Sequence, residues 1–331
     1  MIDAAGLQCV VPLVDMSPLQ ASPSKPVVYG RLLRLSLAPS ALADVAAGAL
    51  LGGEGSWPRG AAPFLLMLAS SCIYHGAMAL NDWADREHDG RTRPERPIPS
   101  GGVPAGTALL LGILLPLFGV FVAASIDPLL AGAAAVVAVL ATGYDLFGRG
   151  PWSGPLLLGS CRAGNMSLGI LLGTGSLAGA GPGIFLPAVV YGLYVVTVSR
   201  LGRLEDGEES GPPGDRPARL LRTAAAWLLA LPLLWLVPGL LPGELAGFLS
   251  ALGLAVFAAS GLVMASRSEE EWTPATIGRS MGLALRRLLV LSASTALLCA
   301  GTSGPDAWLV AAGILLGYPF ALGLRRVFPP S

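Results

Sequence analysis

Apolar stretches of roughly 18 to 25 residues recur along the chain, each long enough to cross a bilayer as a helix. They fall near 31–53, 61–82, 104–124, 127–146, 154–178, 183–200, 219–240, 243–266, 282–301 and 305–324. No strand-like alternation of any length interrupts them. The pattern predicts an all-α fold, a polytopic membrane helix bundle with nine to ten transmembrane helices. The ninth stretch is the weakest. Arg279, Arg286 and Arg287 crowd its start, and its uncharged core from Leu288 to Gly301 is short enough to sit partly in the interface.

The polar positions test this count. Lysine and arginine collect on the cytoplasmic side of membrane proteins. Ten crossings place Lys25, Arg31, Arg34, the arginines at 86–96, Arg149, those at 200–222, those at 267–287, and Arg325 and Arg326 all on one side. Arg59, in an opposite-side loop, and Arg162, inside a stretch, are the exceptions. Both termini are then expected in the cytoplasm, with the chain in the cytoplasmic (inner) membrane.

Composition agrees. The 331 residues are 53% hydrophobic and 13% charged, against about 25% charged in soluble domains. Forty-four glycines suit close packing of membrane helices. The formal net charge is zero, so no basic footprint for nucleic acid exists. Cys9, Cys72, Cys161 and Cys299 have neither disulfide nor metal spacing and read as small apolar residues. Residues 1–25 carry Asp3 and Asp15 without a basic segment ahead of an apolar run, and are expected to form a disordered tail before a single membrane domain over 26–331.

The candidate chemistry sits where the second apolar stretch ends, in Asn81-Asp82-Trp83-Ala84-Asp85-Arg86-Glu87-His88-Asp89. If the helix continues, Asp82, Asp85 and Asp89 share one face. Three such carboxylates repel one another, and a divalent cation relieves the repulsion. Oxygen-only ligands suit Mg²⁺, which takes one or two carboxylates and completes its shell with substrate phosphates. The pattern points to a diphosphate bound through Mg²⁺ at the mouth of a membrane protein.

Asn-Asp-x-x-Asp-x-x-x-Asp followed by Arg96-Pro97-Ile98-Pro99-Ser100-Gly101 resembles the first signature of the UbiA superfamily of intramembrane prenyltransferases. The resemblance implies a ring of helices around a central cavity, with two acidic loops facing each other over it. It implies an isoprenyl diphosphate as donor, a small lipophilic acceptor, surrounding membrane lipids and Mg²⁺. Asp82, Asp85 and Asp89 would be metal ligands, and Asn81 would orient the diphosphate or a metal-bound water. Arg91, Arg93 and Arg96 are candidate phosphate contacts, although the positive-inside rule explains them equally well. The family is usually described with nine helices, so ten would be a departure.

The family's second acidic motif has no clean counterpart. Glu205, Asp206 and Glu209 stand where it belongs, as metal ligands or as a solvated acidic connector. Tyr144 and Arg149 resemble the family's Tyr-x-x-x-Lys-Arg element, with Gly148 in place of the lysine. The tyrosine reads either as part of the phosphate site or as an interfacial anchor. Arg162 lies about 12 Å inside its helix at ~1.5 Å per residue. A charge at that depth is by default a functional hypothesis. It would clamp the diphosphate, with Asn165 lining the cavity one turn on, or it would pair with Asp44, the acid deep in the first stretch. Asp44 and the Ser199-Arg200 form of the second cluster loosely resemble a branch of UbiA-like proteins from bacterial biosynthetic gene clusters, which implies an aromatic or specialised-metabolite acceptor. An intramembrane terpene cyclase and a non-catalytic membrane scaffold or carrier are the competing expectations.

Overall fold

The computed structural model describes residues 24–148, 150–205, 214–268, 271–301 and 304–328, and these contain helices and connecting turns with no strand. A short helix α1 (Lys25–Leu32) precedes α2 (Ala38–Gly52), α3 (Ala62–Thr92), α4 (Ala105–Ala124) and α5 (Pro128–Phe147). The second half contains α6 (Ser153–Thr174), α7 (Leu186–Glu205), α8 (Arg216–Leu233), α9 (Leu245–Ser268), α10 (Pro274–Leu297) and α11 (Asp306–Val327). From α2 onward, ten helical stretches of the described residues are long and apolar enough to cross a membrane. Residues 1–23 of the expected tail lie outside the described residues, and Lys25 already belongs to α1.

The helix starts follow local chemistry. Pro128 opens α5, where the Asp127 carboxylate accepts from the Leu129 N–H at 2.7 Å. A capping box between Thr273 and Thr276, with Pro274 in the first turn, starts α10. That box begins the weak ninth stretch eight residues earlier than hydropathy placed it. Its arginines therefore lie on a 24-residue helix that is among the most enclosed in the bundle. The ninth stretch is thus long and apolar enough to cross, and the count of such stretches among the described residues is ten.

Neighbours in sequence pack side by side around the bundle, and three contacts between helices distant in sequence tie it together: α2 against α6, and α10 against both α2 and α7. Small residues make the first of these possible. Gly48 and Gly52 on α2 face Gly169 and Gly173 on α6. A Cβ on Gly48 would strike the Met166 carbonyl, and one on Gly169 the Val45 carbonyl. Two glycines four residues apart on each helix thus allow backbone-to-backbone contact, which drives association where lipid removes the hydrophobic force. A second close approach, Gly112 of α4 on Leu80 of α3, fixes α3 just before its aspartates.

Candidate functional site

Helix α3 outlasts its apolar part by more than two turns and ends at Thr92, so Asp82, Asp85 and Asp89 do lie on one continuous helix. Their surroundings differ. Asp82 and Asp89 are 3% and 2% exposed, whereas Asp85 is only half-buried. Asn81 donates from Nδ2 to Asp85 Oδ2 at 3.2 Å and so orients that carboxylate.

Two arginines meet the buried pair. Arg96 Nη1 donates to Asp89 Oδ2 at 2.6 Å and lies 4.0 Å from Asp82 Oδ1. It reaches back because the loop after α3 doubles on itself. Ser100 N–H bonds the Arg96 carbonyl, Val103 N–H bonds the Pro97 carbonyl, and Gly101 takes φ +76°. Pro97 and Pro99 hold the intervening φ angles. Arg34 comes from the break between α1 and α2 and donates from Nη2 to Asp82 Oδ1 at 3.3 Å. It is a non-glycine residue in the left-handed region, φ +49°, a conformation that persists where surroundings over-determine it. Burial disfavours the Arg34 charge, but Asp82 together with Tyr74 and Tyr144 more than restores it and holds its pKa above the ordinary arginine value.

Asp82 Oδ2 is buried with no hydrogen-bond partner. A carboxylate oxygen in that condition costs stability unless something binds it. It points to a ligand of the kind that oxygen donors take, and Mg²⁺ fits the Asp82–Asp85 pair with diphosphate oxygens completing its shell. Among the described residues, no group of three or more acidic, His or Cys side chains forms a metal-sized cluster. Asp89 is held by Arg96 instead of standing free as a third ligand.

The other expected site residues sort as follows. Tyr144, near the end of α5, is half-buried and within electrostatic reach of Arg34, Asp85 and Arg203. Arg93 is half-buried, Arg91 stays exposed at the end of α3, and Arg96 is placed on the aspartates. Glu205 is the last residue of α7 and lies against Gly278 of α10. Arg149, Asp206 and Glu209 lie outside the described residues.

Arg162 resolves in favour of the ion pair. Its Nη1 lies 3.1 Å from Asp44 Oδ2, and its Nη2 donates to the Tyr191 hydroxyl at 3.3 Å. Asn165 is committed as well: Nδ2 donates to the Ala41 carbonyl at 2.9 Å and to Asp44 at 3.3 Å, and Oδ1 accepts from Ser70 Oγ at 2.6 Å. Ser292 of α10 donates to the other Asp44 oxygen at 3.2 Å. The expectation that Arg162 and Asn165 contact the diphosphate is thereby corrected. They belong to a buried network that ties α2, α3, α6, α7 and α10 one turn from the glycine contact. Tyr74, half-buried on α3, lies within electrostatic reach of both Arg162 and Arg34. His75 is a bonded core residue, its Nδ1 2.7 Å from the Leu33 carbonyl.

Sequence reasoning missed Arg34, Tyr74 and Tyr191. Arg34 looked like one more basic residue beside a helix, and no spacing linked it to an aspartate 48 positions away.

Comparison with known proteins puts this geometry in context. The sequence profile of the UbiA prenyltransferase family matches residues 41–286. The chain is 28% identical over 169 residues to the bacteriochlorophyll synthase 33 kDa chain of Cereibacter sphaeroides, covering 47% of this chain and 55% of that one. It is 40% identical over 94 residues to protoheme IX farnesyltransferase of Anaeromyxobacter sp., covering 27% and 32%. These matches therefore span about half or less of the relatives' lengths. A UbiA homologue from Archaeoglobus fulgidus bound to DMAPP and Mg²⁺ shares the fold, with TM-score 0.57 and 19% identity over 86% of this chain and 99% of that one.

Proposed function

The chain belongs to the UbiA prenyltransferase family, and from that premise we propose that it transfers an isoprenyl group from an isoprenyl diphosphate to a small lipophilic acceptor, with Mg²⁺ as cofactor. One observation carries the reading: the buried, unpartnered Oδ2 of Asp82, flanked by Arg34 and Arg96 at the end of a membrane helix. The ligands held by the Archaeoglobus homologue support the choice of diphosphate and cation.

Asp82 and Asp85 would hold the Mg²⁺, with Asn81 keeping Asp85 aimed at it. Bound there, the cation neutralises diphosphate oxygens and stabilises the negative charge that grows on them as the allylic C–O bond breaks. Arg34 and Arg96 add positive charge beside the aspartates and the leaving group. The apolar helices behind them shield the electron-poor allylic carbon from water until the acceptor attacks it. The acceptor is aromatic or a specialised metabolite, and the aspartate end of the bundle faces the cytoplasm.

Product analysis tests the reaction. Purified full-length protein, given isoprenyl diphosphates, Mg²⁺ and a panel of aromatic acceptors, should release diphosphate and form prenylated acceptor, and chelation should stop both. Cyclic hydrocarbon formed without acceptor would make it a cyclase. Absence of turnover with every donor would reject enzymatic function. For orientation, reporters fused after Ser331 and after Gly304 should fall on opposite sides, the first in the cytoplasm; a C-terminal reporter outside the cell rejects the arrangement.

A further inference from the structure

Arg287 lies in the second half of α10, away from the aspartates, and the proposed reaction does not use it. Among the described residues it has no ion pair, and its Nε is buried with no hydrogen-bond partner. Its guanidinium occupies a notch on α9. A Cβ at Gly261 would come within 2.9 Å of Nη2, and the Phe257 ring centroid is 5.8 Å away. Phe257 and Met264, four residues before and three after Gly261, are 69% and 70% exposed. Residues at these spacings share a helix face. The notch therefore opens on the outer, lipid-facing side of α9.

Depth sharpens the problem. Fourteen residues separate Arg287 from Gly301 at the far end. At ~1.5 Å per residue this is at most about 21 Å of a ~30 Å hydrocarbon core. The Arg287 backbone thus starts roughly 9 Å inside the apolar layer, and snorkelling carries the guanidinium most of the way out. Its Nη groups end just under the headgroups, where water is scarce and an unpaired donor is costly.

We propose that Arg287 and the Gly261 notch form a seat for an anionic phospholipid. The guanidinium fork would bind two oxygens of the phosphodiester, a geometry that arginine matches and lysine does not. One acyl chain would lie along Phe257 and Met264.

The test uses purified full-length protein in nanodiscs of phosphatidylcholine with or without phosphatidylglycerol, read by native mass spectrometry and thermal melting. Wild type should retain phosphatidylglycerol over phosphatidylcholine by about fivefold and melt at higher temperature with it. Arg287→Gln should lose both effects, and Arg287→Lys should recover only part. Gly261→Val fills the notch and leaves the charge, so it carries the test if Arg287→Gln does not fold; it should also lose the preference. Equal retention of the two lipids by wild type, or an unchanged preference in folded Arg287→Gln or Gly261→Val, overturns the proposal. An equal melting shift from inorganic phosphate in pure phosphatidylcholine would assign the site to a soluble anion and also overturn it.

Discussion

Replacing Asp85 by Ala should lower turnover by roughly 10²–10³-fold, the range seen when one transition-state charge contact is removed, while the folded protein persists. Asp85 is half-buried, and the neighbouring Asn81 donates to its carboxylate. What it removes is one of two carboxylates placed to hold the cation. Mg²⁺-dependent diphosphate binding, measured by titration calorimetry, should weaken in parallel. Asp89→Asn should behave differently. It leaves Arg96, a buried guanidinium whose bond to Asp89 is 2.6 Å, with only the longer 4.0 Å contact to Asp82, and breaking such a pair costs up to about 3–5 kcal/mol. Loss of melting temperature should accompany its loss of activity. Near-normal turnover in well-folded Asp82→Ala and Asp85→Ala proteins would reject the assignment of the site.

Arg162→Met should destabilise the bundle strongly, by about 3–5 kcal/mol. Asp44 is 0% exposed, and the substitution would leave its carboxylate without its cation, with the Tyr191 hydroxyl, Asn165 and Ser292 as hydrogen-bond donors. Because the network stands one turn from the α2–α6 glycine contact, the damage should reach the register of the two halves. Removing both charges together, as Asp44→Leu with Arg162→Met, eliminates the stranded group. It should recover much of the stability, since apolar replacement of a whole buried pair is often neutral or better. Thermal denaturation in detergent decides this. If Arg162→Met melts with the wild type, or the double variant is the worse of the two, the pair is not what holds this crossing.

Several features of this molecule are local, and the sequence by itself determined them. Helix spans follow from apolar length matched to bilayer thickness, and ten such stretches reappear at nearly the expected positions. The shared face of Asp82, Asp85 and Asp89 follows from helical periodicity once α3 continues to Thr92. The proposal that they hold a divalent cation follows from the chemistry of clustered carboxylates. Partner choice is not local, and only the tertiary structure decided it. Arg91, Arg93 and Arg96 look alike in sequence, yet the proline-bent turn brings Arg96 onto Asp89 and leaves Arg91 exposed. Arg162 had two plausible anions, and the α2–α6 packing supplied Asp44. Asp44 also bonds Asn165, 121 positions away. Arg34 became part of the site through one left-handed backbone angle that no composition foretells. Periodicity can say which face of a helix a charge occupies; which charge it meets depends on how closely helices far apart in sequence approach, and here glycines at their crossings set that approach.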